Sequence, residues 1–145
     1  MSFCARVTRT LQVSDAVAFD CLADQDAWGR WMPRSFALVG ASAGRLSRGA
    51  RFRVRIQGVP FPVDLEVTVA ERPRELTWCG GVRGVLYAEH RFVFEAIGDR
   101  AVEVRSLETW SGVLAGPVRK LLEPRAERGA RAQLSGLAKG VDPIG

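Results

Sequence analysis

The chain has 145 residues, of which 47% are hydrophobic and 26% charged, the size and balance of a domain that can bury its own core. No apolar run approaches the ~18 residues that cross a bilayer, and the three cysteines have neither CxxC spacing nor an even count, which argues against a disulfide framework and a zinc site. The net charge of +5 is spread along the chain without a dense basic block, so nucleic acid is not an expected partner.

The opening Met1 to Arg6 lacks the basic-then-apolar build of a signal peptide, which implies a cytoplasmic location without stable membrane insertion. Phe3, Ala5, Val7, Leu11 and Val13 share one parity and predict a first strand over residues 3–13, with Arg9 breaking its apolar face. Ser14 caps a helix with Asp15 in its first turn and Ala16, Phe19, Leu22 and Ala23 at helical spacing. Asp24 offers a second cap before Trp28 and Trp31, and Pro33 ends this pair of short helices. Strands follow at Phe36 to Val39, Arg51 to Ile56, Val63 to Ala70, Glu75 to Cys79, Tyr87 to Ala96 and Ala101 to Trp110. Gly80, Gly81 and Gly84 mark a hairpin turn, and the strict alternation from Val63 to Val69 indicates an antiparallel sheet with one apolar face. No linker, repeat or low-complexity tract divides the chain, so one domain over residues 1–145 is expected.

The last segment is a long helix to about Gly140. Leu114, Val118, Leu121, Leu122, Ala130, Leu134, Leu137, Ala138 and Val141 recur at spacings of three and four and predict one apolar stripe. Pro117 suits a first turn, whereas Pro124 predicts a kink or a restart. Glu123, Arg125, Glu127, Arg128 and Arg131 read as a solvated face with local pairing. A long helix after a run of strands must bury its stripe, and a sheet that curls around it leaves room for a cavity.

His90, the only histidine, shares its parity with Ala88, Phe92 and Phe94. On the next strand Val102, Val104, Ser106, Glu108 and Trp110 share the matching one. A three-residue loop of Gly98, Asp99 and Arg100 would set His90 opposite Glu108; a loop longer by two would set it opposite Ser106. With Glu108 orienting the ring, His90 could move a proton. The alternative is a structural histidine satisfied by Glu108 or by the backbone. One histidine without an acidic or cysteine cluster cannot complete a metal site, and no cofactor is implied.

The order of elements resembles the START/Bet v 1-like superfamily, specifically its polyketide cyclase/dehydrase and lipid-transport branch. The resemblance rests on Val13-Ser14-Asp15-Ala16 with Phe19, on Trp28 to Pro33, on Arg72 to Trp78, on Glu89 to Glu95 and on Glu108 to Gly112. It implies an α+β helix-grip fold: a curved antiparallel sheet around a long C-terminal helix, with two short helices after the first strand and a hydrophobic cavity between sheet and helix. The expected partner is a bulky hydrophobic small molecule such as a lipid or polyketide, bound for transport or sequestration. It would be lined by Trp78, Phe92, Ser106, Trp110, Val118, Leu121, Leu122 and Leu134. Two alternatives stand beside it: a cyclase or dehydratase using His90 and Glu108 as an acid/base pair, and a protein-interaction module, which a closed interior would favour. Monomer and homodimer both remain open.

Overall fold

The computed structural model describes residues 2–141; Met1 and residues 142–145 of the expected 1–145 unit lie outside the described residues. Seven antiparallel strands form one sheet: β1 (Ser2–Leu11), β2 (Phe36–Val39), β3 (Arg51–Ile56), β4 (Val63–Glu71), β5 (Glu75–Val82), β6 (Leu86–Gly98) and β7 (Ala101–Ser111). Their order is β1-β7-β6-β5-β4-β3-β2, so the N-terminal strand returns to pair with the last one. Helix α1 (Asp15–Ala23), a short 3-10 turn and α2 (Trp28–Trp31) connect β1 to β2, and α3 (Ala115–Gly140) closes the chain. The architecture is the α+β helix-grip.

The short helices form where the sequence places their caps. Ser14 Oγ accepts from the Val17 N–H, and Asp24 accepts from the Asp26 N–H to start the turn that leads into α2. Buried Phe19 and Leu22 turn the inner face of α1 onto the concave side of the sheet, and Phe19 meets Phe94 edge-on at 5.6 Å. Trp28 sits inside, with its indole N–H donating to the Leu22 carbonyl at 2.8 Å.

Several local expectations are corrected. β1 stops at Leu11. β5 runs straight through Gly80 and Gly81, and the turn lies at Arg83–Val85. These glycines are needed inside the strand: a Cβ on Gly80 would lie 2.7 Å from the Asp64 carbonyl oxygen, and Gly81 has φ +105°. The alternation of β4 is interrupted at Thr68, where the ladder passes from Val67 opposite Trp78 to Val69 opposite Thr77. Beyond that bulge Ala70, opposite Leu76, faces the core in place of Val69. The β6–β7 loop is shorter than the expected three residues, because Gly98 pairs with Ala101. A bulge at Ile97 absorbs the difference, and His90 still faces Glu108.

The long helix departs most from its sequence pattern. It runs unbroken through Pro124; Pro124 and Lys120 are both exposed, so the carbonyl deprived of its donor is left to water. Beyond Ala115 in its first turn, its apolar positions are buried only toward the C-terminal half, at Ala130, Leu134 and Leu137, whereas Leu114 and Leu121 are 44% and 54% exposed. The buried half is drawn down by Trp31. A Cβ on Gly136 would run into the Trp31 carbonyl oxygen, and one on Gly140 would lie 2.8 Å from the Trp31 ring. The two glycines thus form a notch, four residues apart, that seats α2 against α3.

This contact makes a testable contrast. Gly136→Ala gains about 1 kcal/mol of helix propensity but must overpack Trp31 at a cost of about 1–3 kcal/mol. Gly129→Ala meets nothing within 4 Å and keeps the gain. Thermal melts should therefore show Gly129→Ala more stable than the parent and Gly136→Ala less stable; equal melting points would refute the notch.

Candidate functional site

Between the middle of α3 and the sheet a cavity of about 670 Å³ remains. Its floor is the β6–β7 hairpin, which supplies His90, Glu108 and Trp110. Ser35, Phe36, Ile56 and the loop Gln57–Val59 form one wall, and Leu122, Arg125, Ala126, Arg128 and Gln133 belong to the roof. At the rim α3 meets the β3–β4 loop: Gly58 has φ +89°, and a Cβ there would lie 2.7 Å from Arg125 Nη1.

His90 is held tightly. Its ring stacks on Phe92 with centroids 4.2 Å apart and meets Trp78 edge-on at 5.7 Å. Nε2 and Ser106 Oγ are 2.7 Å apart, in hydrogen-bond contact. Burial pushes the imidazole pKa down to about 3, so the ring is neutral at ordinary pH. Ser106 stands opposite Phe92 in the ladder, so the hydrogen bond runs diagonally. The register therefore gives His90 both polar neighbours that the alternative loop lengths had offered separately.

Glu108 has the opposite shift from the same cause. Burial raises its carboxyl to about 7, and the Trp110 indole, two residues on along the same face, partly counteracts the rise. Trp110 Nε1 is buried and, among the described residues, has no partner within full hydrogen-bond geometry. The floor thus combines a neutral imidazole with a carboxyl that gains and loses its proton near neutrality.

Of the expected lining residues, Trp110 and Leu122 reach the cavity. Trp78 and Phe92 belong instead to an aromatic cluster with Trp28, Phe36 and Phe52, in which Trp78 and Phe92 are 5.1 Å apart. Ser106 and Leu134 are buried in the core, Leu121 is exposed, and Val118 is half-buried away from the cavity. Arg125 and Arg128, read from sequence as part of a solvated face, stand on the cavity rim, while Arg131 is exposed. Arg119 pairs with Glu123 at 2.9 Å on the outer side. Gln133 was not anticipated. It interrupts an apolar stripe between Ala130 and Leu134 and is 4% exposed, and a polar residue at a core position was the available signal.

A family model for polyketide cyclase/dehydrase and lipid transport matches residues 2–142. The chain belongs to that family. No curated protein matches significantly. Among solved structures, norcoclaurine synthase from Thalictrum flavum superposes with a TM-score of 0.76 at 11% identity, covering 97% of this chain and 94% of that one. An aromatase/cyclase from a Streptomyces species gives 0.71 at 12% identity over 97% and 94%. A hypothetical protein from Helicobacter pylori gives 0.76 at 21% identity over 97% and 88%. At these identities the neighbours establish the fold alone. A cavity of this size is of a kind suited to small molecules. Among the described residues no helix is long and apolar enough to cross a membrane, and no three His, Cys, Asp or Glu side chains converge as metal ligands.

The two floor residues act on stability with opposite signs. Between pH about 4.5 and about 7 the folded chain keeps a Glu108 proton that the unfolded chain has released, so this group's contribution falls as pH rises. Between about 3 and 6.5 the unfolded chain binds a His90 proton that the folded chain excludes, so that contribution rises with pH. Glu108→Gln removes only the first. Denaturant titrations of parent and variant should diverge in the variant's favour by up to about 3 kcal/mol between pH 4.5 and 8. A pH-independent difference would show that Glu108 titrates normally.

Proposed function

We propose that the chain binds a bulky, largely apolar small molecule in this cavity, for carriage or sequestration. The observation that carries this reading is the volume of about 670 Å³ between α3 and the sheet, where Phe36, Ile56, Trp110, Leu122 and Ala126 supply apolar wall beside the polar His90, Glu108, Gln57 and Gln133. The family description, which includes lipid transport, supports it. The protein-interaction alternative drew its strength from a closed interior, and the cavity removes that support. Ala126→Phe would place a ring in the empty space. Native mass spectrometry of protein isolated from its own cell extract should reveal a co-purifying small molecule. The adduct should be absent, or at least ten-fold weaker, in the folded variant. An undiminished adduct would place binding elsewhere.

A second reading is favoured by one feature, the position of Glu108 in the cavity with a pKa near 7. It is acid/base chemistry on the bound molecule, in keeping with the cyclase/dehydrase part of the family description. The roles would be the reverse of those suggested by sequence. Glu108 moves the proton, because a carboxyl near pH 7 is matched to that task. His90, neutral and engaged with Ser106, positions the floor. If the chain is an enzyme, Glu108→Gln should reduce kcat by at least about 100-fold with the ligand affinity largely kept. Binding and turnover falling together would assign Glu108 to binding alone.

A further inference from the structure

Among the described residues, four ionisable side chains line the cavity, and they are divided between its two faces. His90 and Glu108 belong to the floor, Arg125 and Arg128 to α3 at the rim. Neither arginine forms an ion pair among the described residues, and the helix offers them no countercharge. An acid three or four residues away would lie beside each of them. Apart from each other, the residues at those distances are Leu121, Leu122, Pro124, Gly129, Arg131 and Ala132. Elsewhere on α3 the acids are in place: Arg119 bonds Glu123 four residues on, and Glu127 precedes Arg131 by four. Arg125 and Arg128 are themselves three apart, neighbours of like charge on the helix surface. The facing wall, with Ser35, Phe36, Ile56 and Gln57, adds no acid. Arg125 reaches across to that wall. A Cβ on Gly58 would lie 2.7 Å from its Nη1 and 3.5 Å from its Cζ, so the guanidinium rests against the β3–β4 loop and its charge is held at the rim.

We propose that Arg125 and Arg128 receive an anionic group of the ligand, and that the ligand is an amphipathic oxyanion: an apolar body within the cavity and a carboxylate or phosphate at the rim. The inference rests on the cavity being a small-molecule site and names the class of molecule. The charges select among guests. A cationic guest would add a third positive charge beside two that already repel. A neutral guest would leave both guanidiniums without a countercharge. An oxyanion accepts charge-assisted hydrogen bonds from the two guanidiniums, while its apolar part lies against Phe36, Ile56, Trp110 and Leu122. The reverse orientation is disfavoured, because it would set the anion beside Glu108 on the floor, where burial already opposes a negative charge.

The test uses 2-naphthoate and 2-naphthamide, which match in shape and differ in charge, with 2-naphthyl phosphate as a second anion. The titrations are calorimetric, at low salt and about pH 6, where Glu108 largely keeps its proton. The parent should bind at least one anion about ten-fold more tightly than the amide, the worth of a charge-assisted hydrogen bond, and the tighter anion identifies the head group. That advantage should shrink as salt is added. The double variant Arg125→Gln, Arg128→Gln should reduce it to about two-fold or less while leaving 2-naphthamide affinity within about two-fold. Arg131→Gln removes a cation from the exposed part of the same helix and should keep the advantage. A preference that survives in the double variant overturns the assignment to Arg125 and Arg128. So does a comparable loss in Arg131→Gln, which would trace the attraction to the net charge of +5. Equal binding of all three probes by the parent overturns this inference alone, whereas no binding of any also removes the small-molecule reading beneath it. Should the double variant fail to fold, the parent still decides. Its Arg125 and Arg128 Nε–H resonances should move with the preferred anion and not with 2-naphthamide, and equal movement with both refutes the proposal.

Discussion

The seating of Trp31 against Gly136 and Gly140 is the constraint from which the rest of the molecule follows. A long helix over a curled sheet can settle along its whole length and fill the concave side, or it can be held at one end. Here the C-terminal half is held. The backbone of α3 comes so close to Trp31 that no side chain fits at Gly136, and Ala130, Leu134 and Leu137 complete the contact. Between that clamp and the buried Ala115 of the first turn, Leu122 and Ala126 face open space instead of packed side chains. Two glycines that lower intrinsic helix propensity are what let the helix leave a cavity.

That geometry also sets the electrostatics of the floor. His90 and Glu108 sit opposite each other on neighbouring strands, and an exposed pair of this kind would form an ion pair. Burial acts against both charges at once, driving the imidazole down to about 3 and the carboxyl up to about 7. Below pH 7 the neutral forms predominate, and His90 turns to Ser106 rather than to Glu108. A floor without charge suits an apolar guest, while the cations at Arg125 and Arg128 stay at the rim, where water reaches them. Ion pairs such as Arg53–Asp64 and Arg51–Glu66 lie on exposed surface and contribute little to stability.

The parts of this design legible in the sequence are those governed by periodicity. Parity alone brought His90, Ser106, Glu108 and Trp110 to one face, and the order of strands and helices implied the helix-grip. The His90–Glu108 register was reached through a loop one residue too long, because a bulge at Ile97 shifts the ladder by the compensating residue; bulges leave no reliable mark in a hydrophobic pattern. Depth was not legible. Trp78 and Phe92 have the right parity for a cavity wall, yet they lie under neighbouring aromatic rings. Leu121 belongs to the helix stripe, yet it is 54% exposed while Leu122 beside it lines the cavity. The same spacing that predicts burial in a packed helix predicts a cavity roof in one that spans open space, and only the position of the clamp distinguishes them.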